Sequence, residues 1–171
     1  IRGLLAEKGD GYIIIDVGGV GYEISVPSNS AAYLSGQGSE IMVYTMMSVR
    51  EDDVSLYGFS RKGELDAFKK LISVNGVGAK AGLSILSSFT LEQLREAIIF
   101  EDAKALTKAN GIGKKIAERI VLELKDKFSS SGEEYQAAEK DGVSDAVNYQ
   151  DARSEAAEAL ISLGYTRGET M

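Results

Sequence analysis

The sequence predicts an α+β multidomain protein: a small N-terminal β-barrel, an all-α domain, a flexible linker and a short helical end. Three observations carry this. Through residues 1–60, short β-prone apolar runs alternate with Gly, Asn and Ser turn signals and the only proline. From Arg61 to Phe128 the apolar spacing lengthens to that of a helix. Within that stretch the phrase Asn-Gly-x-Gly occurs twice, 35 residues apart, as NGVGAK at 75–80 and NGIGKK at 110–115. The expected segments are 1–60, 61–128, 129–148 and 149–171.

Leu4–Glu7 reads as an opening strand. Gly11–Val17 and Val20–Val26 flank Gly18-Gly19, a two-residue loop suited to a type I′ hairpin. Pro27 ends a strand where a missing N–H does least harm. Ser30–Leu34 allows a single helical turn, and Glu40–Met47 and Val54–Phe59 are further β-rich runs. Five or so short strands without a long helix suggest a barrel. Leu65, Phe68, Leu71 and Ile72 then mark a helix that stops at Asn75-Gly76, and Ala79–Ser88 is a second. Thr90 with Gln93 forms a capping box opening a third. Asp102–Ala109 is a short helix stopped by Asn110-Gly111, and Lys114–Phe128 carries Ile116, Ile120, Leu124 and Phe128 on one stripe. Residues 129–148 are Ser-, Gly- and acid-rich with no apolar period, a linker composition. Ala152, Ala156, Ala159, Leu160 and Leu163 mark an amphipathic helix that Gly164 can cap, and Thr166 begins another. One and a half helices cannot bury a core, so this end reads as truncated.

At 171 residues there is room for one ordinary domain or two to three small ones. The longest apolar runs are far too short to span a bilayer. With a start at Ile1 and no methionine, the natural N-terminus is expected upstream. No cysteine means no disulfide and no thiolate metal site, which fits a reducing cytoplasm. No histidine removes the Ser-His-Asp and Cys-His nucleophile systems and the usual zinc sites, so the composition leans towards binding. The net charge of −7 is unevenly spread. Residues 61–128 carry 13 basic and 9 acidic side chains, net +4, against net −5 before and −6 after. Phosphate binding depends on that local positive potential, not on the average.

The repeat is not a nucleotide motif. A dinucleotide fingerprint needs a third Gly where Ala81 and Ile116 stand, and a P-loop needs Ser or Thr where Lys115 stands. A tight hairpin between two helices instead brings backbone close to a partner and aims unpaired N–H groups at it, which makes an anion site. Lys80 and Lys115, two residues past the second Gly of each copy, add charge, and Val77 and Ile112 suit inward anchors. Two such sites match two backbone phosphates of a duplex and carry no base information. The candidate interface is therefore Asn75, Gly76, Val77, Gly78 and Lys80 with Asn110, Gly111, Ile112, Gly113, Lys114, Lys115 and Arg119. For Lys114 and Arg119 an ordinary exposed helix position competes with a phosphate contact. A lone Gly-x-Gly is as often a helix cap; two copies with a lysine at one offset are more specific.

The paired hairpins resemble helix–hairpin–helix DNA-binding motifs. Leu71–Lys80 (LISVNGVGAK), Leu106–Lys127 (LTKANGIGKKIAERIVLELKDK), Val49–Phe59 (VREDDVSLYGF) and Asp16–Val26 (DVGGVGYEISV) together resemble the RuvA family. Its members recognise Holliday junctions in bacterial recombination. The likeness runs in order from about Ile1 to Phe128 and resumes at Leu163–Tyr165. Ala79 and Asn110 stand where the family commonly has proline.

The resemblance implies an oligonucleotide/oligosaccharide-binding (OB) barrel, a tandem helix–hairpin–helix domain and a tethered C-terminal domain that engages the hexameric motor ATPase RuvB. Leu160, Leu163, Gly164 and Tyr165 fall in that motor-binding segment. It also implies a homotetramer on an open square junction, sometimes two tetramers face to face, with a RuvC-type resolvase as a further partner. No catalytic residue, cofactor or metal is implied for this chain. Arg50-Glu51-Asp52-Asp53 lies between two strands, and three acids in a turn are by themselves an ordinary solvated loop. The family places an acidic pin here, at the tetramer centre, and Glu51 and Asp52 match it. Two other readings remain: a duplex-binding module of a repair enzyme, and a protein-interaction scaffold whose hairpins only cap helices.

Overall fold

The computed structural model describes residues 1–129, with side chains to Phe128. The chain divides into two units, Ile1–Ala138 and Glu139–Met171. Residues 130–148 of the expected 129–148 linker, the helical end and the motor-binding candidates Leu160, Leu163, Gly164 and Tyr165 lie outside the described residues.

Six strands build the first part: β1 Arg2–Gly9, β2 Tyr12–Val17, β3 Val20–Ser25, β4 Glu40–Met42, β5 Tyr44–Val49 and β6 Val54–Phe59, with a one-turn helix α1 Ala31–Leu34 between β3 and β4. Their order in the sheet is β4-β1-β2-β3-β6-β5. The two edge strands are consecutive in the chain, separated only by Val43, so the sheet rolls up with its edges joined covalently. This is an OB-like barrel.

The expected strand Glu40–Met47 is thus two strands. Val43 N donates to Ile1 O at 2.9 Å, ending the ladder with β1, and beyond it the chain crosses to β6. The β2–β3 turn is as predicted: Gly18 and Gly19 both have positive φ, 64° and 92°, as a type I′ loop requires. Leu5, Ile13, Ile15, Ile24 and Val43 fill the barrel.

The helical part comprises α2 Lys62–Ile72, α3 Ala79–Ser88, α4 Leu91–Ile99, α5 Ala103–Leu106 and α6 Lys114–Ser129. The capping box of α4 forms as expected, Thr90 N to Gln93 Oε1 at 3.0 Å and Gln93 N to Thr90 Oγ1 at 3.2 Å. The fourth helix is shorter than the expected Asp102–Ala109. Asp102 is its cap and accepts from Ala105 N at 2.9 Å. Lys108 and Ala109 continue as tighter turns, their amides bonded to Ala105 O and Leu106 O. The last helix runs one residue into the expected linker, to Ser129. Lys125 on it pairs with Glu101 of the α4–α5 turn; the hydrogen bond and then the charge hold the Glu101 carboxyl below its usual range and the Lys125 ammonium above its own.

The barrel and the helices share a seam. Met46, Tyr57 and Phe59 point away from the barrel interior and pack into the helical core around Phe68, Leu71, Ile85, Leu94, Ile98, Ile120 and Leu124. The Phe68 ring lies 4.9 Å from that of Phe59 and 5.3 Å from that of Tyr57. Gly82 on α3 lets the two helices close on this ring: a Cβ there would sit 3.0 Å from it.

Candidate nucleic-acid interface

The two Asn-Gly-x-Gly phrases connect α2 to α3 and α5 to α6, and they fold alike bond for bond. Val77 N donates to Val74 O at 3.0 Å, and Ile112 N to Ala109 O at 3.1 Å. Gly76 takes φ 90° and Gly111 φ 82°, the left-handed region where a side chain is strained. Gly82 N then bonds Gly78 O at 2.9 Å, and Ala117 N bonds Gly113 O at 3.0 Å, opening each second helix. Val77 and Ile112 turn into the core, and their amides are used within the turns. They shape the hairpins, and the faces presented outward belong to Asn75, Gly76, Gly78, Asn110, Gly111 and Gly113.

Gly78 and Gly113 are the informative pair. Gly78 has φ −85° and ψ 176°, ordinary extended backbone, and Gly113 has no positive φ. Beyond its chain neighbours, a Cβ built on either meets nothing within 4 Å among the described residues. Neither backbone strain nor internal crowding therefore calls for glycine at these two places. The absent side chain leaves room for something outside the chain to reach the helix N-terminus.

What would be welcome there follows from the neighbours. The first turns of α2 and α4 hold Glu64 and Glu92, and α5 is capped by Asp102. Glu92 shows the effect: a hydrogen bond from the backbone, then one from Thr90, holds its carboxyl below its usual range. The helices after the glycine hairpins carry no acid in their first turns, and no side chain caps α3. Their N–H groups and positive dipole ends face outward without an internal anion.

The cations divide unevenly. Lys80 and Lys115 are exposed and enter no ion pair or hydrogen bond among the described residues. Lys114 leans on Glu118 at 3.8 Å. Arg119 donates from Nη1 to the Asn75 carbonyl at 3.0 Å, bridging from one hairpin's helix to the other hairpin's turn, with Glu123 at 4.0 Å from its Nε. Sequence reasoning placed Arg119 among the phosphate candidates but held no hint of this bridge, because an interaction across 44 positions leaves no local pattern.

On the barrel, residues 50–53 are the tip of the β5–β6 hairpin. Val49 pairs with Val54, and Arg50 N bonds Asp53 O at 2.8 Å. The three acids are not equivalent. Asp53 accepts from the Ser55 hydroxyl and so belongs to its own hairpin. Glu51 and Asp52 are exposed and have no partner among the described residues. Among those residues no group of three or more His, Cys, Asp or Glu could hold a metal ion, and no helix is long and apolar enough to cross a membrane.

Residues 1–58 match the family described as RuvA N terminal domain, and residues 68–126 match the SAM-like Helix-hairpin-helix tandem. Over 99% of its length the chain is 43% identical to the Holliday junction branch migration complex subunit RuvA of Desulforamulus reducens, covering 82% of that protein. The chain belongs to the RuvA family. The same-named subunits of Symbiobacterium thermophilum and Clostridium perfringens SM101 are 43% and 44% identical over 99% of this chain, which covers 82% and 85% of them. Both family matches fall on described residues, the first on the barrel with its acidic tip and the second on the paired hairpins.

Proposed function

We propose that this chain is the non-catalytic subunit that binds four-way DNA junctions without regard to sequence, holds them open and square, and delivers them to a hexameric branch-migration ATPase in recombination and repair. The observation that carries the proposal is the duplicated hairpin with glycine at Gly78 and Gly113, where the fold itself needs none. The amides around Gly76, Gly78, Gly111 and Gly113, with Lys80, Lys114 and Lys115, grip backbone phosphates. Residues 1–60 are the barrel with its pin, 61–128 the DNA-binding domain and 129–148 a linker, and 149–171 belong to a RuvB-binding domain. The protein acts in the cytoplasm, and a RuvC-type resolvase shares the junction.

A homotetramer, alone or as two stacked face to face, supplies the shape selection. Met47, Val49 and Val54, all more than 60% exposed, form an apolar base to the acidic tip that a second copy would cover. Four copies of Glu51 and Asp52 bring about eight carboxylates to the crossover, where like charges ~4–6 Å apart in a partly dry site repel by several kcal/mol. That repulsion keeps the strands apart and disfavours a continuous duplex through the centre.

A gel-shift titration at ~0.1 M salt, comparing a four-way junction with a linear duplex of the same arm sequence, tests the reading. A junction preference of about a hundredfold, roughly 2.7 kcal/mol, is expected. Equal affinity would favour the duplex-module reading, and no binding to either would return the hairpins to helix capping. Changing Glu51 and Asp52 together to Asn is expected to strengthen linear-duplex binding and narrow the preference; unchanged discrimination would remove the pin from the mechanism. Lys80→Ala with Lys115→Ala is expected to weaken binding to every DNA alike and to lower the slope of log K against log salt by about 0.9 for each phosphate that a chain no longer neutralises.

A further inference from the structure

We propose that Arg119 is a positioning residue that aims the first hairpin at its phosphate, not itself a phosphate ligand. The inference rests on the DNA-binding reading of the hairpins and adds to it an internal brace. The carbonyl that Arg119 holds, Asn75 O, belongs to the same peptide unit as the Gly76 N–H. No peptide bond described is cis. In a planar trans peptide the oxygen and the hydrogen point in opposite directions. The guanidinium on the α6 side therefore fixes the Gly76 N–H facing away from α6, outward from the turn, and Gly76 N donates to no acceptor among the described residues.

The positive φ of Gly76, 90°, makes this peptide easy to flip, because glycine carries no Cβ penalty in either orientation. A brace is thus useful here. A cation on the carbonyl also polarises the peptide and makes its N–H a stronger donor. Glu123, beside the Arg119 Nε, steadies the guanidinium from the other side.

The second hairpin has no such brace. Counting back the 35-residue repeat from Arg119 gives Ser84, whose side chain is too short to span to the other turn. Among the described residues nothing donates to Asn110 O. The two hairpins are alike in backbone and unlike in stiffness: the first is held rigid by a residue of the second, while the second carries the additional lysine, Lys114.

Two measurements on the full chain test this. In the free protein, the TROSY amide resonance of Gly76 is expected to move in Arg119→Ala while that of Gly111 stays. With a four-way junction, Arg119→Ala is expected to bind about tenfold more weakly, the worth of a hydrogen bond to a charged group, with the salt slope unchanged. Lys115→Ala serves as the contrast, with its slope reduced. Arg119→Lys keeps the charge but not the planar fork, so it is expected to restore binding only in part. A slope lowered by about 0.9 per chain in Arg119→Ala, with full rescue by Lys, would make Arg119 a phosphate ligand and overturn the proposal. So would an unmoved Gly76 resonance. If the unaltered chain bound no DNA, the functional reading would fall, while the free-protein spectrum would still decide the brace.

Discussion

Phe68→Ala is expected to lower the unfolding free energy by about 3–5 kcal/mol, a large part of the ~5–15 kcal/mol that holds a domain together. The side chain is fully buried where barrel and helices meet, stacked at a tilt against Phe59 and Tyr57. Removing it leaves a cavity and breaks two aromatic pairs worth ~0.5–1.5 kcal/mol each beyond their burial. Gly82 supplies the control. A methyl there would stand 3.0–3.2 Å from Phe68 and Ile72, so Gly82→Ala alone overpacks the site at a cost of about 1–3 kcal/mol. In Phe68→Ala the same methyl enters the cavity. The double variant is therefore expected to be more stable than the two single losses added together. Denaturant titration of the four proteins measures this, and strict additivity would show that Gly82 and Phe68 do not compete for one space.

Much of this fold is written locally. Gly18-Gly19 announces its turn, Thr90 and Gln93 cap a helix as their spacing requires, and Ala79–Ser88 begins and ends where its signals stand. What was not legible depends on partners far away in the chain. The break at Val43 follows from pairing with Ile1 on one side and with β6 on the other, and the β-prone run Glu40–Met47 contains no sign of it. The tail of Asp102–Ala109 tightens because Leu106 and Ala109 must both reach the core within a few residues of the hairpin.

The same division runs through the site. The repeat located both hairpins and both equivalent lysines, because a spacing is visible in one dimension. It could not say that Asp53 is tied to Ser55 while Glu51 and Asp52 stand free, nor that Arg119 holds Asn75. Those are facts of side-chain direction. Sequence grouped Val77 and Ile112 with the interface but read them as inward anchors of the hairpins, and the fold does turn their side chains inward.

Gly78→Ala combined with Gly113→Ala is expected to weaken DNA binding by about a hundredfold or more while leaving the protein as stable as before or slightly more so. The two halves of this prediction have one source. At φ −85° and ψ 176°, Gly78 occupies backbone that alanine adopts freely, and among the described residues nothing beyond the chain neighbours lies within 4 Å of the new methyl at either site. Restricting the unfolded chain then adds ~0.4–1 kcal/mol per site. Toward a phosphate the same methyl is an obstacle. It holds the anion off the amides at the helix start, and a hydrogen bond to a charged group is worth about 1.5–3 kcal/mol. One such loss at each hairpin amounts to roughly 3–6 kcal/mol, a hundredfold or more in affinity. Gly76→Ala provides the opposite behaviour: at φ 90° it is expected to lose ~1–3 kcal/mol of stability through backbone strain. Melting curves and junction titrations on the same preparations separate the cases. If the Gly78/Gly113 variant kept its DNA affinity, the glycines would only be ending one helix and admitting the next, and the phosphate grip would have to lie elsewhere on the domain. A loss of affinity with an unmoved or raised melting temperature is the result that an external ligand at the helix N-termini explains, since no group among the described residues beyond the chain neighbours feels the added methyl.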